Sequence, residues 1–274
     1  MHHGFIKVAS ATPKIIVGNC EYNGRQILNC IKSAAANKVK ILVLPELCIT
    51  GYTAGDLFYQ DTLLDASKNV LSKIAQNSPR DMLIVLGLPI QYDSKIYNVA
   101  ATICNGKVIG LIPKIYLPNY NEFYEKRQFA SGLNVNTSIS LFGYEIPFSS
   151  KILYRSVEIP ELVVSSEICE DLWFAIPPSC DLALAGATII ANLSASNELI
   201  GKAEYRRSLV VGQSARIISG YIYACSGDGE STSDVVFAGH NMIAENGKLL
   251  CETELFSNVN MISTEIDVRA IVSE

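Results

Sequence analysis

The chain has 274 residues, 49% hydrophobic and 18% charged, a composition that belongs to folded globular proteins and excludes intrinsic disorder. With 22 Lys and Arg against 27 Asp and Glu, the net charge is -5 and no basic cluster occurs, so neither nucleic acid nor an anionic membrane is an expected partner. Of three histidines, His2 and His3 are set aside as terminal residues, so any mechanism that needs an imidazole rests on His240.

Taken in chain order, the first element is a helix over 21–38, where Ile27, Cys30, Ile31, Ala34 and Ala35 recur at i, i+3, i+4, i+7 and i+8. Short apolar runs rich in β-branched residues follow at 40–44 (KILVL) and 83–88 (LIVLGL), and read as strands covered on both faces. Asn105-Gly106 separates apolar segments at 98–104 and 108–112, which predicts a hairpin, because a type I′ turn needs positive φ at both central residues. Further buried strands are expected at 162–165 (LVVS), 188–192 (TIIAN) and 220–225 (GYIYAC). A second helix is predicted over 203–220, with Val211, Ala215 and Ile218 on its buried stripe and Arg206, Arg207 and Arg216 off it. A second hairpin joins 241–244 to 249–251 through Asn246-Gly247. Helices alternating with strands plus two hairpins imply a layered α/β fold with mixed sheets, and with no repeat or linker the whole of 1–274 reads as a single domain.

The N-terminal text MHHGFIKVASATPKIIV has no unbroken apolar core of a signal peptide and is read as the start of the mature fold. The longest apolar stretch, 182–193, falls short of the roughly 18 residues that suggest a membrane span. A soluble, cytoplasmic protein is the expectation. Cys20, Cys30, Cys48, Cys104, Cys169, Cys180, Cys225 and Cys251 form no CxxC pair, which argues against zinc ribbons and redox motifs and makes most of them small buried hydrophobes; no metal is expected.

Three polar residues stand at the ends of apolar runs, where binding crevices of α/β sheets form: Glu46, Lys114 and Cys169. Singly, Glu46 reads equally as a solvated loop residue or a helix cap. Cys169 is followed by Glu170-Asp171-Leu172-Trp173, a helix starting straight after a strand, which resembles a nucleophile elbow with backbone N–H groups near the reactive atom. Glu167, Glu170 and Asp171 crowd the thiol and disfavour its ionised form, so a cation such as Lys114 is required beside it. A thiol, a carboxylate to accept its proton and an ammonium for the oxyanion make a set that activates a cysteine without histidine.

These contexts resemble the carbon-nitrogen hydrolase (nitrilase) superfamily, and within it the glutaminase domains of glutamine-dependent NAD synthetases. The similar segments are LPELCITGYTAGDLF, PKIYLPNYNEFYEKRQF, SSEICEDLW, NLSASNELIGKAEYRRSLV and ESTSDVVFAGHNMI, in the family's order along nearly the whole chain. The resemblance implies an αββα sandwich of two mixed sheets covered by helices, with Glu46 as general base, Lys114 as oxyanion stabiliser and Cys169 as nucleophile. Glu125 matches the additional glutamate of the superfamily. Tyr52, Tyr120, Phe123, Glu170, Ser196 and Lys202 match positions that line a glutamine pocket; Glu170 suits the α-ammonium, and Lys202 stands where relatives often carry Arg, without Arg's bidentate fork. Read without the family, Tyr120 and Phe123 are equally core aromatics and Ser196 a helix cap.

The relatives continue into an ATP-dependent synthetase domain with a Ser-Gly-Gly-x-Asp-Ser pyrophosphate loop, and no such text occurs here. The expectation is a glutaminase domain excised from its ligase, needing no cofactor itself, with ATP and Mg used only by the absent synthetase domain. Its expected partners are glutamine and that ligase domain, and superfamily resemblance implies a homo-oligomer stacked back to back. The rival readings are a stand-alone nitrilase-type amidase on another small amide or carbamoyl compound, a non-catalytic assembly module, and a His240-dependent hydrolase. The last is disfavoured because GHNM lies beside a hairpin, where a histidine is structural.

Overall fold

The computed structural model describes residues 4–274; His2 and His3 lie outside the described residues. The chain begins with β1 (Phe5–Ala11), α1 (Cys20–Ala36) and β2 (Ile41–Val43), then α2 (Asp61–Gln76), β3 (Leu83–Tyr92), β4 (Lys95–Cys104) and β5 (Lys107–Pro113). β6 (Asn136–Leu141), β7 (Tyr144–Ser149), β8 (Tyr154–Arg155) and β9 (Val163–Ile168) lead to the short helices α3 (Glu170–Trp173) and α4 (Pro178–Leu184). The remainder is β10 (Ile189–Ser194), α5 (Lys202–Arg216), β11 (Gly220–Cys225), β12 (Met242–Glu245), β13 (Lys248–Glu252), β14 (Met261–Asp267) and α6 (Val268–Ser273).

Two sheets result, in the orders β14-β1-β2-β3-β4-β5-β7-β6 and β13-β12-β11-β10-β9-β8. Each is built on a parallel trio, β1-β2-β3 and β9-β10-β11, extended by an antiparallel hairpin, β4-β5 and β12-β13. The mixed sheets expected from the two Asn-Gly turns are therefore present, and Asn105, Gly106, Asn246 and Gly247 all have positive φ. Two further tight turns, Asp93-Ser94 between β3 and β4 and Phe142-Gly143 between β6 and β7, also lie at positive φ. Asp93-Ser94 lacks the glycine that marks such turns in sequence.

Strand alternation builds three cores, because both faces of the parallel trios are covered. Val8, Ile41, Val43 and Val85 from one sheet meet Ile189, Leu193, Ile222 and Ile243 from the other between the sheets. Ala9, Leu42, Leu86 and Leu88 face Ile27, Ile31, Leu71 and Ile74 of α1 and α2. Ile190, Tyr221, Tyr223 and Met242 face Val210 of α5, with Leu182 of α4. This is a four-layer αββα sandwich, as expected.

Helix α5 departs from the sequence reading. Its buried residues are Arg206, Val210, Gln213 and Ser214, whereas Ala215 is exposed and Arg206 is among the most deeply buried side chains. A buried guanidinium is tolerated because its donors are met: Arg206 bonds Glu198 at 3.0 Å, Ser196 Oγ at 3.2 Å and the Asn197 carbonyl at 3.0 Å. On α2, which the sequence reading does not include, Leu63, Leu64, Ser67, Val70, Leu71 and Ile74 form the buried face at helical spacing.

Candidate active site

The C-terminal ends of strands deliver the polar groups. Glu46 lies just past β2, Lys114 directly after β5, Cys169 directly after β9 and Ala195 directly after β10. Cys169 adopts φ 47 and ψ −99, a conformation costly for a side chain bearing Cβ, between β9 and the first turn of α3. This is the strand-to-helix elbow expected from sequence. Asp171 stiffens it by accepting from the backbone N–H of Ile168 at 2.9 Å and of Tyr116 at 2.8 Å, so the Cys169 turn is tied to the segment that follows Lys114.

Glu46 is fully buried, which excludes its reading as a solvated loop residue. Its Oε1 accepts from Lys114 Nζ at 2.6 Å and from Asn98 Nδ2 at 2.6 Å, and its Oε2 from the backbone N–H of Ala195 at 2.8 Å. Lys114, equally buried, also donates to Glu125 Oε1 at 2.7 Å, and that oxygen receives the Tyr52 hydroxyl at 2.8 Å. Burial by itself pulls the Lys114 ammonium down, but Glu125 and Glu46 outweigh it and hold the lysine well above its ordinary range. Burial pushes the Glu125 carboxyl up, opposed by Lys114. Cys169 lies within the field of all three groups; burial raises its thiol most, Glu46 and Glu125 add to that, and Lys114 opposes them. These surroundings favour the neutral thiol over the thiolate. A base must remove its proton as it attacks.

Of the remaining residues singled out from sequence, Tyr52, Phe123, Tyr120, Glu170 and Lys202 form a connected set that reaches this cluster through Tyr52, whereas Ser196 bonds Arg206 instead. Phe123 sits edge-on to Tyr52 and Tyr120, at centroid distances of 6.5 and 6.0 Å, and Lys202 Nζ lies 5.6 Å from its ring. Tyr120 is half exposed and donates to the Glu170 carboxylate at 2.9 Å, so it is not a core aromatic. Ser196 is buried but caps no helix; α5 starts after Gly201, and the Ser196 hydroxyl accepts from Arg206. Lys202 donates to Asn197 Oδ1 and lies between the rings of Phe123 and Trp173. A cavity of about 240 Å³ is bordered by Tyr52, Phe123, Glu122, Ser231 and Glu125; Glu125, which bonds Lys114, connects it to Glu46, Lys114 and Cys169, none of which lines it.

Sequence reasoning missed Asn98, Asn197, Arg206 and Glu230. Asn98 had a usable signal, a lone amide inside the apolar run of β4; Glu230 opens the family-like segment ESTSDVVFAGHNMI, but no local pattern there tells which distant backbone it reaches. His240 has both ring nitrogens engaged, Nδ1 with Arg206 at 2.9 Å and Nε2 with Glu252 at 3.0 Å, the structural part expected of it. All eight cysteines are free and five are buried. Among the described residues, no helix is long and apolar enough to cross a membrane, and no group of three or more His, Cys, Asp or Glu side chains is arranged to hold a metal ion.

The sequence profile of carbon-nitrogen hydrolases matches residues 7–273, and the chain belongs to that family, whose members cleave carbon–nitrogen bonds such as those of amides. An amidase of the nitrilase superfamily from Nesterenkonia shares the fold, with a TM-score of 0.76 at 18% identity over 98% of this chain and 93% of its own. More closely, the chain is 40% identical over 275 residues to the glutamine-dependent NAD(+) synthetase of Mycobacterium tuberculosis, covering 99% of this chain and 40% of that protein. The putative glutamine-dependent NAD(+) synthetase of Schizosaccharomyces pombe is 30% identical over 98% of this chain and 40% of its own length. The crystal structure of a glutamine-dependent NAD(+) synthetase from Cytophaga hutchinsonii superimposes with a TM-score of 0.85 at 31% identity, covering 95% of this chain and 42% of that one. The chain thus spans about two fifths of the length of the synthetases it matches.

Proposed function

We propose that this chain hydrolyses the side-chain amide of glutamine and supplies the ammonia to an NAD synthetase domain. The observation that carries the reading is the fully buried Glu46–Lys114–Glu125 cluster set against a cysteine on a strained elbow. Cys169 Sγ attacks the amide carbon while Glu46 takes the thiol proton. Two of the three Lys114 N–H groups are held by Glu46 and Glu125, which leaves the third for the developing oxyanion. The backbone N–H of Glu170, first in α3, is the second donor; each such donor is typically worth about 10²–10³-fold.

Glu46 then gives its proton to the leaving nitrogen, the C–N bond breaks, and ammonia departs from a γ-glutamyl thioester. Water, deprotonated by Glu46, attacks the thioester, and glutamate leaves as the thiol is restored. Tyr52, Tyr120, Phe123, Glu170, Ser196 and Lys202 surround the substrate, with Glu170 facing its α-ammonium. The ATP-dependent step, in which ammonia amidates adenylated nicotinate adenine dinucleotide, belongs to the ligase.

The test is glutaminase activity and covalent labelling. Wild type is expected to release ammonia from glutamine faster than from other primary amides, and to gain mass with a glutamine-mimicking electrophile; Cys169→Ala should do neither. Labelling that persists at another cysteine overturns the assignment. Equal turnover of unrelated small amides, indifferent to added ligase, supports a stand-alone amidase instead.

A further inference from the structure

Glu230 is a buried carboxylate that the mechanism above does not use. It comes from the loop after β11, and it reaches the segment after β2: Oε1 accepts the backbone N–H of Tyr52 at 2.7 Å, and Oε2 accepts the backbone N–H of Thr53 at 3.0 Å and the Thr53 hydroxyl at 2.6 Å. The backbone N–H of Ser231 returns a bond to Thr53 Oγ1 at 2.9 Å. Gly229 makes the approach possible. It sits at φ 103, and a Cβ there would lie 1.9 Å from the Ile15 carbonyl oxygen. Two loops far apart in sequence are therefore latched by one side chain.

The latch acts on a residue that touches the catalytic cluster. Tyr52 has its backbone held by Glu230 and its ring held edge-on by Phe123 and Phe237, so its hydroxyl is delivered to the Glu125 oxygen that also receives Lys114. We propose that Glu230 is a positioning residue that sets Tyr52, and through it Glu125, for turnover. The inference rests on the glutaminase reading for its substrate, but not for its geometry. The groups facing Glu125 are Lys114, Glu46, Tyr52 and Cys169; the Tyr52 hydroxyl and Lys114 favour the ionised carboxylate, while burial and Glu46 oppose it. Losing the Tyr52 bond makes Glu125 hold its proton more tightly, so the acid limb of the rate profile moves to higher pH.

The experiment compares wild type with Glu230→Gln, Tyr52→Phe and the double variant. Each single change is expected to lower kcat by about tenfold or more, the scale of one hydrogen bond to a charged group, and to move the acid limb upward. In the Tyr52→Phe background, Glu230→Gln should change kcat by less than about twofold, because both act through one bond. Fully multiplicative losses, or an acid limb that stays in place in folded Glu230→Gln, overturn the proposal. Should Glu230→Gln not fold, Glu230→Asp keeps the charge one methylene short and must shift the limb as well; an unmoved limb there overturns the proposal equally. The same profiles are measured as the rate of Cys169 alkylation by iodoacetamide, which needs no glutamine. A wild type inert toward glutamine but with the expected alkylation profiles refutes the substrate and supports the latch.

Discussion

Asn98 and Lys114 converge on a single oxygen of Glu46, each at 2.6 Å: a neutral amide from inside β4 and a cation from the end of β5 fix one carboxylate that the Ala195 N–H holds from its other side. A carboxylate with three donors has one rotamer and one direction in which to take a proton. Asn98→Leu removes a donor without stranding the amide oxygen, which has no partner among the described residues. The expected outcome is a fall in kcat/KM of about 10–100-fold, as for a hydrogen bond to a charged group worth about 1.5–3 kcal/mol, with circular dichroism unchanged. Steady-state kinetics check it; a loss under about twofold contradicts the positioning role of Asn98.

Gly87 in β3 lies beneath the turn that carries Glu46. A Cβ there would fall 2.2 Å from the Leu47 nitrogen and 2.7 Å from the Glu46 carbonyl carbon, both backbone atoms of a segment already at positive φ at Leu47. Gly87→Ala is expected to destabilise the protein by about 1–3 kcal/mol or more and to displace Glu46. Thermal unfolding reports the first effect and the rate of Cys169 alkylation the second. An alanine variant with wild-type melting and reactivity would show that the turn can yield.

Lys114→Met should be costly. It leaves Glu46 and Glu125 buried beside each other without their cation, a loss of about 3–5 kcal/mol in urea unfolding at neutral pH. Burial already makes Glu125 hold its proton above the ordinary carboxylate range, so the penalty should shrink as pH falls and Glu125 becomes neutral. Adding Glu125→Gln should recover part of the stability and none of the activity. A double variant no more stable than Lys114→Met would mean that charge repulsion is not the cause.

His240 makes stability pH-dependent on the acid side. Burial lowers its pKa below the 6.5 of an ordinary histidine; Glu252 raises it, and Arg206 and Arg207 lower it further. Below 6.5 the unfolded chain binds a proton that the folded imidazole refuses, so this contribution is full above 6.5 and is lost as pH falls toward the folded value. The slope is at most one proton, about 1.4 kcal/mol per pH unit. Urea midpoints between about pH 5 and 7 should flatten in His240→Asn, which keeps an acceptor for Arg206. An unchanged slope assigns the effect to other groups.

The alternation of short apolar runs, the two Asn-Gly turns and the helical period of α1 are local properties, and they suffice for a layered α/β fold with mixed sheets. The order Glu46, Lys114, Cys169 was legible too, because each follows an apolar run whose end must reach a sheet rim. Which of their neighbours matter was not. Arg206 reads in sequence as a surface charge of α5, and only the packing of Glu198, Ser196 and Asn197 around it makes its burial tolerable. Glu230 lies 178 residues from Tyr52, in a loop with no periodicity to read. Local chain chemistry determines elements and the ends at which they stop; which distant donors neutralise a buried charge depends on how layers stack, and that is decided only when the two sheets close over Glu46.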